Sequence, residues 1–182
     1  MLKTTEESAR AFLATRKTLV MATTGEDGAP TASYAPFVKW GDDFYVYTSA
    51  LSRHTKDLLR SPNVSILFIE DGASAKNLFA LERLTFPCRT TTVSQNGNEW
   101  KVVMTLFRKK FGKIFGLIRP LGDFFLFRME PEDTVYVQAF GRAYHLTKDL
   151  QDPQHITGVG HKGAEIDTAK GVRGSRASGK KR

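Results

Sequence analysis

Four histidines, a single cysteine and a few charged residues at the ends of periodic segments are the side chains here with chemistry to offer. His54 stands between Arg53 and Lys56, just after Ser52, in what reads as the first turn of a helix. That grouping suits an anion, because helix N-termini already attract negative charge; it is equally the composition of a solvated helix end. His145 closes a strand-like run and reads as a rim residue. His155 and His161 lie in a glycine-containing stretch, His161 within Gly160-His161-Lys162-Gly163. Small neighbours let the backbone approach a flat ligand, and a neutral imidazole is a good iron ligand. A lone surface histidine is more often solvated than ligating, so spacing alone does not choose among the four. Asp123 opens a strand directly after a helix, as a turn or cap residue does. Arg83 heads the run RLTF, as a salt-bridge partner or an anion contact. The sequence contains no phosphate-binding glycine loop, paired CxxC, HExxH or nucleophile elbow, which excludes zinc hydrolase and serine or cysteine hydrolase chemistry.

The elements that must position these residues are mostly strands. Residues 5–16 carry Ala9, Phe12 and Leu13 at helical spacing. Strands are expected over 17–23, 31–40 and 44–48, joined by GEDGAP and Gly41-Asp42-Asp43, with Pro36 implying an edge, bulge or break. A helix over 53–59 stops before Pro62. A strand over 63–69, a short helix over 74–80 and a strand over 83–93 follow. Residues 98–117 repeat apolar side chains at three and four, from Trp100 to Phe115, as an amphipathic helix does. Strands over 123–129 and 134–144 are expected to be reversed by Glu130-Pro131-Glu132-Asp133. About seven strands and four helices, with tight turns between sequential strands, favour a mainly β (α+β) antiparallel barrel over a parallel doubly wound sheet.

Composition narrows the setting. The chain has 182 residues, 41% hydrophobic and 25% charged, in keeping with one globular domain. Cys88 alone cannot form a disulfide within the chain, which suits a reducing compartment. The start, MLKTTEESAR, is polar, and the most apolar stretch, 111–121, is broken by Lys113, Arg119 and Pro120. A cytoplasmic protein without membrane insertion is expected. The net charge of +8 concentrates at the C-terminus, where residues 162–182 hold 7 of the 27 basic and 2 of the 19 acidic residues. That tail has no aromatic residue to stack on a base, so no specific nucleic-acid binding is expected. The expected organisation is a barrel domain over 1–150, a segment 151–170 that serves it, and a flexible basic tail 171–182.

Two resemblances now matter. The run YTSALSRHTKDLLRSPNVSILF resembles pyridoxamine-phosphate-oxidase-like flavin proteins, in which a Tyr-Thr strand end leads to Ser-Arg-Lys and the FMN phosphate. Here Ser52, Arg53 and Lys56 would meet the phosphate, but His54 stands where a lysine is usual, which weakens the case for FMN. The closer resemblance is to haem-utilisation proteins of the HutZ/HugZ type. It runs from Arg16 to His161 through RKTLVMAT, SYAPFV, SRHTKDL, VSILFIED, ALERLTF, GDFFLFR, FGRAYHL and GHKG. It implies a homodimeric split β-barrel with peripheral helices and a cleft between two chains. It implies His161 as the ligand to haem iron, with His155 in reserve should the register slip. Asp123 of the partner chain would accept a hydrogen bond from that imidazole, while Arg83, His54, Arg53 and Lys56 would lie around the haem. The implied activity is oxidative haem breakdown with O2 and an electron donor; haem storage or transfer, or an FMN oxidoreductase, are the alternatives.

Overall fold

The computed structural model describes residues 3–75 and 77–157. Helix α1, Thr5–Ala14, opens on a capping box in which the Thr4 hydroxyl accepts from Glu7 N and the Glu7 carboxylate accepts from Thr4 N. It buries Ala9, Phe12 and Leu13. Strands β1 (Thr18–Thr24), β2 (Pro30–Trp40) and β3 (Asp43–Ser49) form an antiparallel meander. β2 pairs with β1 as far as Pro36 and with β3 from Phe37 onward. The proline, which has no N–H to donate, therefore sits where the strand changes neighbours.

Helix α2 (Arg53–Arg60), β4 (Asn63–Ile69), a single 3₁₀ turn (Leu78–Ala80), β5 (Arg83–Thr92) and helix α3 (Asn98–Ile118) follow, then β6 (Phe124–Pro131), β7 (Asp133–Ala139), β8 (Arg142–Thr147) and β9 (Gln154–His155). The order β4-β1-β2-β3-β6-β5 closes through a β4–β5 ladder, giving the expected antiparallel barrel with peripheral helices, here of six strands.

Three local expectations are corrected. The helix expected over 74–80 is only the 3₁₀ turn, whose Asn77 side chain accepts from Phe79 N. Glu130-Pro131-Glu132-Asp133 does not reverse the chain. β6 and β7 run the same way along one edge of β5, with Cys88 opposite Pro131 and Thr85 opposite Val135. Glu132 is one extra residue in that ladder, a bulge whose N–H still reaches Pro87 O at 3.0 Å. The reversal comes inside the strand expected over 134–144, at Phe140 and Gly141, where Gly141 takes a φ of +71° that suits glycine. That hairpin makes β7 and β8 two strands, and β9 adds to β8 beyond them. The bent β6–β7 ribbon thus has two neighbours on its outer edge, β3 along the first half and β8 along the second. The gap between β3 and β8 is the split in the barrel.

Alternation divides β3 and β6 between two cores. Phe44, Val46, Phe127 and Met129 point into the barrel, while Tyr45 and Leu126 point out under α3 with Val103, Met104, Phe107 and Phe115. Inside, the Phe44 ring lies 5.9 Å from Phe37, 5.3 Å from Phe68 and 5.0 Å from Phe86. Tilted aromatic clusters of this kind contribute beyond their buried area. Phe44→Ala is expected to cost about 3–5 kcal/mol, read as a lower urea midpoint at unchanged slope. α3 bends at Gly112, whose φ of 58° lets Phe115 return to the sheet after Phe107. Cys88 is buried, and burial pushes its thiol up to about 12, so it is chemically quiet.

Candidate functional site

Residues singled out by the sequence occupy two separate places on the chain. The first is the end of the barrel where β3 hands over to α2. Ser52 caps α2 through its extended backbone without a side-chain bond, and its oxygen accepts from Thr55 N at 3.2 Å. Two buried side chains pin the helix. The Thr55 hydroxyl donates to Thr48 Oγ1 at 2.9 Å, and Asp57 accepts from Thr23 Oγ1 at 2.8 Å and from Arg60 at 3.1 Å. Arg53 and Lys56 are left exposed, and His54 is half-buried. Burial lowers the His54 pKa against the opposing pull of Asp57, so its imidazole is neutral at pH 7.

Asp123 belongs to this end. Its backbone oxygen accepts from Ala50 N at 2.7 Å, and its Oδ2 accepts from the Ser49 hydroxyl at 2.6 Å. Ser49 Oγ in turn accepts from Leu51 N at 3.2 Å, which aims its proton at the carboxylate. Short O–H···O⁻ bonds are among the strong ones. Asp123 is therefore a held carboxylate, fixed through Oδ2, with Oδ1 left to accept from another donor. Ser49 and Asp57 were not legible as site residues. The only sequence signal was the i,i+3 pairing of Asp57 with Arg60, which reads as helix decoration.

The second place is the edge formed by β5, β7 and the β7–β8 hairpin. Arg83 lies opposite Ile69 on one side and Val137 on the other, and donates to Leu81 O at 3.3 Å. Around it are exposed apolar side chains, Leu78 and Phe79 from the 3₁₀ turn packed on β7 and Phe140 at the hairpin tip. Phe79 and Phe140 are 95% and 81% exposed, a large apolar exposure for two phenylalanines. His155 is on the same edge. It pairs with Tyr144, its ring centroid 5.2 Å from the tyrosine's, and its Nε2 contacts Gly141 O at 3.0 Å. His145 is exposed on β8. Arg83 and Asp123 are far apart. Arg83 pairs with Val137 while Phe124 starts β6, so thirteen residue steps of the bent β6–β7 ribbon, a contour of at most about 43 Å at about 3.3 Å each, lie between the two places. His161 lies outside the described residues.

The α2 end carries mixed charge. The cleft there is lined by Arg53, Lys56 and Arg60 together with Glu26, Asp27 and Asp57. Arg60 is already bridged to Glu26 at 3.2 Å and to Asp57 at 3.1 Å. Arg53 and Lys56 are the two cations of this cleft that make no ion pair among the described residues, and so the ones free to meet an anion. Among the described residues there is no cluster of three or more potential metal ligands, and no helix long and apolar enough to cross a membrane.

Comparison with known proteins agrees with this architecture. The family model described as pyridoxamine 5′-phosphate oxidase matches residues 5–138. The heme oxygenase HutZ of Vibrio cholerae is 40% identical over 152 residues, 83% of this chain and 86% of that protein. A crystal structure of Vibrio cholerae HutZ, there described as a heme storage protein, superposes with a TM-score of 0.72 at 37% identity, over 75% of this chain and 97% of that one. Campylobacter jejuni ChuZ superposes with a TM-score of 0.75 at 27% identity, over 83% of this chain and 61% of the longer ChuZ chain.

Proposed function

We propose a haem-handling function for this chain, which belongs to the pyridoxamine 5′-phosphate oxidase family. Specifically, it binds haem between two copies of itself in the cytoplasm and degrades it oxidatively, taking electrons from a donor and releasing iron. The observation that carries this is the 40% identity to a heme oxygenase over 83% of the chain.

Two features support the dimeric form of the site. Arg83 and its exposed aromatic neighbours stand at one end of the chain, and Asp123 with α2 at the other. Two copies packed so that the Arg83 edge of one meets the Asp123 end of the other would put both on one ligand. The flat, largely apolar porphyrin would lie against Phe79 and Phe140, and Arg83, Arg53 and Lys56 would meet its two propionates. The second feature is tether length. Ile156 N bonds to Ala143 O, Ala143 pairs with Val137, and Val137 with Arg83. Three strand spacings of about 4.8 Å place Ile156 ~14 Å from Arg83. His161 follows five residues later, a reach of at most ~17 Å. It can serve a haem on its own Arg83 edge and needs the partner's Asp123 as its carboxylate.

In this reading His161 would hold the haem iron through one ring nitrogen. Its other ring N–H donates to Asp123, which makes the imidazole a more basic ligand. Haem itself, with O2, supplies the oxidative chemistry. The protein excludes bulk water, orients the ring and holds the proton at the imidazole nitrogen.

The test is a hemin titration without air, followed by ascorbate in air with catalase present. A Soret band that forms, then bleaches with release of chelatable iron, is expected. A band that forms and persists would make the protein a haem store or carrier. No band at all would leave only the fold in common with the haem-handling relatives.

A further inference from the structure

Between Glu99 and Asp123 the chain carries six cations and no carboxylate: Lys101, Arg108, Lys109, Lys110, Lys113 and Arg119. Lys110 serves the fold, its ammonium 3.9 Å over the Phe37 ring and donating to Phe37 O at 2.9 Å. The other five are exposed. Among the described residues, none of the five has a carboxylate oxygen within 4.0 Å of a side-chain nitrogen.

The end of this stretch is apolar where it faces water. α3 bends at Gly112, and beyond the bend Phe115 is buried and Ile118 half-buried. Ile114 and Leu117, one helical turn apart, are left 68% and 76% exposed, and Leu121, just past the helix, is 50% exposed. Nothing from the rest of the fold crowds them: a Cβ placed on Gly116 or Gly122 would have open space around it. Single exposed leucines are ordinary, but three apolar side chains on successive turns form a patch. Lys113 precedes the patch and Arg119 stands within it.

That composition selects the partner. Aliphatic side chains among unpaired cations complement a surface that is anionic outside and apolar just beneath, which is a bilayer with acidic headgroups. A second copy meeting the patch through the same face would set Lys113 and Arg119 against their own counterparts, because a two-fold contact pairs a patch with itself. A nucleic acid offers phosphates but nothing to receive Ile114 and Leu117, and the exposed apolar residues here are not the aromatics on which bases stack. No described helix is long and apolar enough to cross a membrane, so the segment would lie on the surface.

We propose that the last turns of α3 and the turn after them dock this protein on an anionic membrane surface, with Ile114, Leu117 and Leu121 entering the headgroup region and Lys113 and Arg119 on the acidic headgroups. The proposal stands apart from the haem reading and needs no bound haem.

Cys88 is buried and chemically quiet, so Leu117→Cys in the full-length chain takes an environment-sensitive nitrobenzoxadiazole label at a single position. With vesicles of phosphatidylglycerol and phosphatidylcholine in equal parts, its emission is expected to rise and move to the blue. Vesicles of phosphatidylcholine alone should leave it unchanged, and salt at about 0.5 M should reverse the response. The same label on Lys148→Cys, exposed beyond β8, should not respond. Residues 162–182, with 7 basic and 2 acidic side chains, can draw the chain to acidic vesicles by charge alone; a label at position 117 enters lipid only if α3 docks. Adding Lys113→Glu and Arg119→Glu to the labelled chain is expected to weaken vesicle affinity about tenfold. Adding Ile114→Ser instead should weaken it about threefold at unchanged thermal unfolding. No blue shift on acidic vesicles, or an equal shift on neutral ones, would overturn the proposal. So would a label already shielded without vesicles and released on dilution of the protein, which makes the face a contact between copies of the chain. A label that answers a single-stranded oligonucleotide and not vesicles would overturn it as well.

Discussion

Replacing His161 by alanine is expected to abolish the Soret shift on hemin addition while leaving thermal unfolding where it was. The imidazole is the bond to iron in the proposed site. Without it the porphyrin keeps only apolar contact with Phe79 and Phe140 and charge contact with Arg83, Arg53 and Lys56. A fall in haem affinity of about two orders of magnitude, ~2.7 kcal/mol, follows. Stability should hold because, among the described residues, both hydrophobic clusters are built from side chains no later in the chain than Leu150. His155→Ala is the paired control. Its Nε2 contacts Gly141 O, so it is engaged in fastening β9 to the hairpin. A Soret shift that survives His161→Ala and is lost in His155→Ala would move the ligand to position 155, and the tether argument with it.

Much of the fold was legible because alternation and turn chemistry agree over most of the chain. β1 alternates strictly between exposed and buried, and β4 does so almost as cleanly. α2 is bounded by Ser52 and by the Ser61-Pro62 step. What could not be read was the path after α3. Glu130-Pro131-Glu132-Asp133 has every local mark of a turn, yet the chain continues, because Phe127 to Val137 has one long partner edge in β5 to follow. Ladder pairing over that length outweighs the local preference of three polar residues. Conversely, Phe140-Gly141 looked like strand interior and is the tip of a hairpin.

Legibility of the site divides the same way. Arg53, His54, Lys56, Arg83 and Asp123 could be named from residue type and family resemblance. Their distribution over opposite ends of the barrel could not, since it depends on where β5 and the β6–β7 ribbon start and stop. Nor could the partners that give Asp123 its orientation. Ser49 is an ordinary strand-end serine in the sequence; only the pairing of β3 with β6, Ser49 opposite Phe124, brings it to the carboxylate. Likewise the charges of α2 are mostly basic in sequence, Arg53, Lys56 and Arg60 against Asp57. The β1–β2 turn swings Glu26 and Asp27 into the cleft beside it.

Asp123→Asn is expected to leave haem binding within a few-fold of wild type and to slow its breakdown by about ten- to a hundredfold, the range seen when a partner of a metal-bound histidine is changed. The amide oxygen still accepts from an imidazole N–H, so geometry survives. What goes is the negative charge that stabilises electron donation from imidazole to iron. The Ser49 hydroxyl reports on the same point. In the wild type it donates to Oδ2 at 2.6 Å and so locks the carboxylate; the neutral amide can turn its NH2 toward Ser49 and lose that lock. The readouts are bleaching of the Soret band with ascorbate in air and the Soret position before reductant is added. A shifted band with slow bleaching fits an imidazole that has lost its charged partner. Wild-type bleaching rates in Asp123→Asn would remove Asp123 from the mechanism. In the proposed site Asp123 of one chain faces the haem held by the other, so mixing Asp123→Asn with His161→Ala chains adds a stricter check. Heterodimers pair one intact His161 with one intact Asp123 in a single cleft, so activity should return to about a quarter of wild type in a one-to-one mixture if half the dimers are mixed and each has one working site. No recovery would mean that His161 and Asp123 serve the same haem from the same chain.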